Sequence, residues 1–159
     1  MCFFCNKPPV PTLGNSRILG ITRFRETRMD SKTLAERAMA VRQNAYCPFS
    51  GFYVGAALVD ENGVLHVGCN VENSAYPEGT CAEANAIASM IATGARRIVA
   101  IAIAGGHEAI ENCSPCGGCR QKIAEFADRD TRIMLVAPNG EVHEHSVDSL
   151  LPLGFRLQK

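Results

Sequence analysis

The first regular pattern of apolar and polar residues begins near residue 30. Leu34, Ala38 and Val41 recur at the spacing of one helical face. Asp30 or Ser31 stands directly before this pattern, where an N-cap residue is expected. The pattern therefore predicts a helix that packs one face against a core.

Strand and helix patterns then alternate along the rest of the chain, separated by turns that contain glycine or proline. The predicted strands are 53–59, 64–69, 98–104, 133–136 and a short one after residue 140, and the predicted helices are 81–93, 116–127 and a last turn near 150. Within 98–104, valine and isoleucine alternate with alanine. The alanine side of that strand would let a helix approach closely.

The order helix, hairpin, helix, strand, helix, strand determines the predicted architecture. Two helices cross between strands in the second half of the chain, which implies parallel pairing there through right-handed connections. The hairpin at 53–69 adds an antiparallel edge. We therefore predict an α/β fold, a three-layer α-β-α sandwich around a mixed sheet of about five strands.

Residues 1–28 differ from the rest of the chain. They show no apolar period, and three prolines and Gly14 interrupt any regular element there. We predict a flexible N-terminal extension at 1–28 and a single folded domain at 29–159. Because Met29 precedes the first predicted helix, it is an alternative start of translation.

Composition and charge favour a small, uncharged substrate. The chain has 16 basic and 16 acidic residues, without the basic face that binders of long nucleic acids usually carry. No stretch reaches the roughly 18 apolar residues of a membrane span, and the N-terminus has no apolar signal core. We therefore expect a cytoplasmic protein with no nucleic-acid or membrane partner. In that compartment, 8 cysteines indicate metal or redox chemistry rather than disulfides.

Three cysteines have the arrangement of a catalytic zinc site. Cys81, Cys116 and Cys119 each stand at the start of a predicted helix, where free N–H groups and the helix dipole stabilise thiolates. Such a site keeps three protein ligands and leaves the fourth position to water, whose pKa zinc lowers to about 7. Glu83 would act on that water without being a ligand. Cys-x-Glu followed by Pro-Cys-x-x-Cys is the signature of zinc deaminases, with the glutamate as the proton carrier.

Two other uses of these cysteines stay open. A structural zinc site would normally have a fourth protein ligand, for which Cys113 is the nearer candidate and Cys69 the more remote one. A thiol redox protein built on Cys113, Cys116 and Cys119 is the second alternative. Metal analysis separates these uses, because tightly held zinc argues against a dithiol–disulfide cycle.

From about residue 45 to 155, the chain resembles the small, homotetrameric cytidine deaminases. The resemblance rests on four blocks, CPFSGFYVGAA at 47–57, GCNVEN at 68–73, YPEGTCAE at 76–83 and SPCGGCRQ at 114–121. It implies a zinc-dependent enzyme of pyrimidine salvage, in which hydroxide on the zinc attacks C4. Cytidine and 2′-deoxycytidine would yield uridine and 2′-deoxyuridine with release of ammonia. Another aminopyrimidine nucleoside stays open as the substrate.

The resemblance also implies which residues contact the nucleoside: Phe52, Asn70, Glu72, Ala82 and Phe155. Phe52 would lie against the pyrimidine ring, and the backbone at Ala82 would hold the pyrimidine carbonyl. Asn70 and Glu72 would bond the ribose 3′-hydroxyl, although loop capping is the ordinary role of such residues. Phe155 matches an aromatic that reaches the site of a neighbouring subunit, which is the basis for expecting a homotetramer.

The chain departs from the family pattern at three positions. Ala84 stands where the family commonly has an arginine that offsets the charge of three thiolates. The two helix N-termini or Arg120 are the candidates to replace that charge. Phe49 stands where tyrosine is usual, and Arg156 where glycine is frequent. These departures bear on the level of activity and on substrate preference.

Overall fold

The computed structural model describes residues 29–157, so the extension predicted at 1–28 lies outside the described residues. The helices are α1 (Ser31–Arg42), α2 (Ala82–Ala92), α3 (Gly117–Phe126) and α4 (Val147–Leu150), with a 3-10 turn at Tyr76–Glu78. The strands are β1 (Tyr53–Asp60), β2 (Leu65–Cys69), β3 (Ile98–Gly106), β4 (Ala127–Val136) and β5 (Val142–His145). In this part of the chain, no helix is long and apolar enough to span a membrane.

The five strands form one mixed sheet in the order β2-β1-β3-β4-β5. β1 is antiparallel to both β2 and β3, β3 is parallel to β4, and β5 is antiparallel to β4. The predicted mixed α/β fold is thus confirmed, but parallel pairing joins only β3 and β4. The helix α2 connects β2 to β3, which run in the same direction. These two strands are not paired with each other, because β1 of the hairpin lies between them.

Helices cover both faces of the sheet, as the alternation in the third predicted strand indicates. Ile101 and Ile103 of β3 belong to a core cluster with buried residues of α2 and α3. Ala102 and Ala104 belong to a second cluster, with Leu34 and other buried residues of α1. The small side chains let α1 lie close to the sheet.

The approach of α1 to β1 is closest at Gly55. A Cβ atom on this glycine would stand 2.1 Å from the carbonyl oxygen of Ala38.

The predicted ends of two helices are also observed. Asp30 is the N-cap of α1 and accepts from the backbone N–H of Thr33 at 2.7 Å. The predicted glycine stop of α2 is present too, since Gly94 has a φ of +97°.

Candidate active site

Three thiols meet where α2 and α3 begin. Cys81 is the N-cap of α2, Cys116 is the N-cap of α3, and Cys119 lies in the first turn of α3. Their sulfur atoms all lie within 4.8 Å of one another, and the Sγ atoms of Cys81 and Cys116 are 3.9 Å apart. Sulfurs bound to zinc at about 2.3 Å in tetrahedral geometry stand about 3.8 Å apart. The cluster therefore fits a zinc ion held by three protein ligands.

The environment favours a thiolate at Cys81. A hydrogen bond from the Cys119 thiol is the main cause that lowers the pKa of Cys81 to about 6, against a burial effect of opposite sign. The positive charge of Lys122 acts in the same direction. The same hydrogen bond to Cys81, together with burial, raises the pKa of Cys119 above its ordinary value.

Glu83 lies beside the thiols, in the first turn of α2. Its side chain is only 3% exposed, and its Oε2 accepts from the Cys119 Sγ at 3.2 Å. A carboxylate at that distance is near enough to exchange protons with a water on a metal held by the sulfurs.

A cavity of about 360 Å³ opens from the thiol cluster. Five residues expected to act in catalysis or in contacting the substrate line it: Phe52, Asn70, Glu72, Ala82 and Glu83. Cys81 and Cys116 of the thiol cluster line it as well. The volume is within the range of small-molecule sites. Tertiary structure thus brings residues from four separate sequence blocks to one cavity.

Tyr76 and Cys113 are among the lining residues that the sequence did not identify as substrate contacts. Tyr76 lines the cavity from the 3-10 turn, and Cys113 lines it from the loop before α3. Burial, with the charge of Glu83, raises the pKa of Cys113 to about 11, so this thiol stays protonated. Among the described residues, the three-thiol cluster does not include Cys113 or Cys69. The fourth ligand that a structural zinc site would normally have is therefore not supplied by either of them.

Asn70 and Glu72 hold the backbone of the cavity wall. The Asn70 amide donates to the carbonyl of Phe52 at 2.9 Å and accepts from the N–H of Val54 at 2.8 Å. Glu72 accepts from the N–H of Phe49 at 2.9 Å, and hydrogen bonds from Ser50 and Phe49 lower its pKa. Both side chains therefore have the loop-supporting role as well as a place in the cavity.

Phe155 does not line this cavity. Its side chain is 69% exposed, and its backbone carbonyl accepts from the side chain of Gln121 at 2.8 Å. Phe49 is also half exposed and contacts the ring of Tyr76 edge-on, with the ring centroids 6.0 Å apart. Phe155 is thus free to contact another molecule.

Comparison with known proteins agrees with this geometry. Residues 28–135 match the family model described as the cytidine and deoxycytidylate deaminase zinc-binding region. The cytidine deaminase of Sporosarcina psychrophila is 41% identical over 127 residues, which cover 80% of this chain and 92% of that protein.

Solved structures give the same relationship. The cytidine deaminase of Burkholderia pseudomallei matches with a TM-score of 0.73 and 40% identity, over 80% of this chain and 100% of that one. The cytidine deaminase of Mycobacterium tuberculosis matches with a TM-score of 0.69 and 34% identity, over 80% of this chain and 98% of that one. The chain therefore belongs to the zinc-binding family of cytidine and deoxycytidylate deaminases.

Proposed function

We propose that this protein hydrolyses cytidine and 2′-deoxycytidine to uridine and 2′-deoxyuridine, with release of ammonia. The observation that carries the proposal is the position of Glu83. Its carboxylate lies 3.2 Å from the Cys119 sulfur of the three-thiol cluster, and Glu83 lines a cavity of about 360 Å³ together with Cys81 and Cys116. A structural zinc site needs neither a buried carboxylate beside the metal nor a cavity leading to it.

Each side chain has a definite part in the reaction. Cys81, Cys116 and Cys119 would hold the zinc, which would supply the Lewis acidity that makes water nucleophilic at neutral pH. Glu83 takes a proton from the attacking water and passes it to the ring nitrogen N3. It then carries the second proton to the departing amine. Water adds at C4, the bond from C4 to the exocyclic nitrogen breaks, and ammonia leaves.

The cavity wall orients the nucleoside. Phe52 packs against the pyrimidine ring, and the backbone N–H at Ala82, in the first turn of α2, holds the pyrimidine carbonyl. Asn70 and Glu72 form hydrogen bonds with the ribose 3′-hydroxyl. A carboxylate has about four acceptor positions, so Glu72 is able to bind a hydroxyl while it accepts the loop N–H groups. The ribose contact selects nucleosides over free bases.

The test is the loss of cytidine absorbance with zinc-loaded protein, measured for the parent and for Glu83→Gln. We expect turnover by the parent and a loss of at least about a hundredfold in the variant, the usual scale for a positioned acid–base group. Glu36→Gln, on the exposed face of α1, should match the parent. Zinc content is measured in all three proteins, so that a lost metal is not mistaken for lost proton transfer.

A substrate panel defines which nucleoside is preferred. If the zinc-loaded parent turns over an analogue but not cytidine, the proposed deamination is correct but its substrate is another aminopyrimidine nucleoside. If no nucleoside reacts with folded, zinc-loaded parent, the enzymatic proposal is wrong and a noncatalytic zinc protein remains. A parent that holds no zinc and cycles between dithiol and disulfide would instead support the redox alternative.

We propose further that the active protein is a homotetramer, in which Phe155 completes the cavity of a neighbouring subunit. The support is the exposure of Phe155 together with Leu153 and Leu157 on one terminal segment. Sedimentation should give four times the chain mass of 17.1 kDa, and Phe155→Ala should raise KM for cytidine. A fully active monomer would contradict this assembly.

The same proposal places the enzyme in pyrimidine salvage in the cytoplasm. The six cysteines in the described part of the chain are free thiols, which suits a reducing compartment. Cell fractionation tests the location. Growth on cytidine as the sole pyrimidine source, with and without the gene, tests the pathway.

A further inference from the structure

The candidate metal centre carries more negative than positive charge. Three thiolates and one Zn²⁺ leave one net negative charge, and an ionised Glu83 adds a second one. The helix starts at Cys81 and Cys116 each offset roughly half a charge. Ala84, which follows Glu83, contributes no charge at all. A further cation near the sulfurs would therefore stabilise the loaded site.

Arg120, although adjacent to Cys119, has its guanidinium bonded elsewhere. It donates to the carbonyl of Pro115 at 2.8 Å, to the carbonyl of Leu150 at 2.9 Å and to the hydroxyl of Ser114 at 3.1 Å. These three bonds join the loop before α3 to the C-terminal end of α4. Arg120 thus has a structural role in which its donors do not reach the thiols.

Lys122 approaches the sulfurs from one helical turn further along α3. Long side chains on a helix point back toward its N-terminus, which directs Lys122 over Gly118. The Lys122 Nζ lies 3.6 Å, and the Cys116 Sγ 4.0 Å, from the point where a Cβ on Gly118 would stand. Both groups thus lie close to the same point beside Gly118, and because glycine has no Cβ, no side chain occupies that point.

We propose that the Lys122 ammonium is the charge-compensating group of this metal centre and stabilises the zinc-bound thiolates electrostatically. The inference rests on the assignment of the three cysteines as zinc ligands, and it adds a residue that the zinc-site motif does not contain. Lys122 touches neither substrate nor reacting atoms, so it is a positioning residue. Its effect is on how tightly the centre holds zinc.

Zinc affinity, measured by competition with a chromophoric chelator at pH 7 and low salt, tests this role. Lys122→Gln should weaken zinc binding about three- to tenfold, as expected for one exposed charge several ångströms away. Lys122→Glu should weaken it further, and Lys122→Arg should keep most of the affinity. Lys32→Gln, on the exposed surface of α1, is the matched control and should bind zinc like the parent.

Salt separates an electrostatic effect from a packing effect. At about 1 M salt the Debye length falls to about 3 Å, so the difference between the parent and Lys122→Gln should largely disappear. Circular dichroism and thermal unfolding of the loaded proteins establish that the variants are folded. An unchanged affinity in both Gln and Glu variants, or a loss that salt does not reduce, would overturn the proposal.

The affinity measurement is independent of turnover. If the parent binds zinc but deaminates nothing, the proposed function is wrong and the Lys122 series still decides the electrostatic role. If the parent binds no zinc, both the ligand assignment and the role of Lys122 are wrong.

Discussion

Asp60 is a buried carboxylate that lies outside the cavity. It is 1% exposed at the end of β1. Its Oδ1 accepts from the N–H groups of Asn62 and Val64, and its Oδ2 is 2.9 Å from the Nε2 of His66. Burial alone would raise the pKa of Asp60, but the bonds from His66, Val64 and Asn62 outweigh burial and hold this pKa below its ordinary value.

Asp60→Ala should lower the free energy of unfolding by about 3 kcal/mol, because it leaves a buried imidazole and two backbone N–H groups without their acceptor. Urea denaturation at pH 7 measures the change. Glu36→Ala, at an exposed position of α1, should change stability by less than about 0.5 kcal/mol. Equal effects of the two substitutions would contradict the importance of the buried carboxylate.

The same residue predicts a pH dependence. The pKa of Asp60 is lower in the folded protein than in the unfolded chain, where it is about 3.9. Its stabilising contribution is therefore complete above that value and is lost as the pH falls through the folded pKa. The stability difference between the parent and Asp60→Ala should shrink below about pH 4. A constant difference down to pH 2.5 would contradict this assignment.

At the scale of elements, α2 approaches β2 very closely at Gly68. A Cβ on Gly68 would stand 2.4 Å from the backbone nitrogen of Ala86 and 2.5 Å from the carbonyl oxygen of Ala82. Both are backbone atoms, which cannot move without shifting the helix. Because α2 starts with Cys81 and Glu83, this contact also determines where the thiol and the carboxylate lie.

Gly68→Ala should therefore destabilise the fold by at least about 2 kcal/mol through overpacking and weaken zinc binding as well. Thermal unfolding and chelator competition measure the two effects. Gly117→Ala is the matched control, because a Cβ on Gly117 meets nothing within 4 Å. That variant should keep parental stability and zinc affinity although it lies between two of the metal-binding cysteines. If Gly68→Ala has the stability and zinc affinity of the parent, the helix tolerates displacement and this prediction is wrong.

At the scale of the whole molecule, Met29 is part of the packed domain. Met29 packs against the core cluster between α1 and the sheet. Its carbonyl accepts from the guanidinium of Arg132 at 3.5 Å. We propose on this basis that residues 29–159 fold and act as one domain, as the change of pattern near residue 30 predicts.

A chain that begins at Met29 should therefore match the full chain in zinc content and unfolding midpoint, because the core and the capping contacts of α1 stay intact. Its turnover should agree with that of the full chain within about twofold. A chain that begins at Leu34 loses the Asp30 cap and the Met29 contact. It should unfold at lower temperature, since losing an N-cap alone costs about 1 kcal/mol. If removal of 1–28 abolishes folding or zinc binding, the proposed domain boundary is wrong.

The sequence by itself determined the features that depend on neighbouring residues. The caps and glycine stops place the helices to within a residue or two, as at Asp30 and Gly94. Alternation along β3 predicts that a helix can approach its alanine side closely, and in the structure that helix is α1. The starts of α2 and α3 predict that three thiols can meet, because a helix N-terminus stabilises negative charge wherever it lies.

Only the tertiary structure decided the features that depend on residues far apart in the chain. Strand order is one of them, since nothing local to β2 shows that β1 separates it from β3. Arg42 is another: it ends α1 as an ordinary basic residue, yet it is buried and donates to the carbonyls of Tyr53 and Gly106. Tertiary packing likewise decides that Cys113 lines the cavity and that Lys122 lies over Gly118. Burial and electrostatic fields arise from atoms that packing assembles, and a pattern along one segment does not contain them.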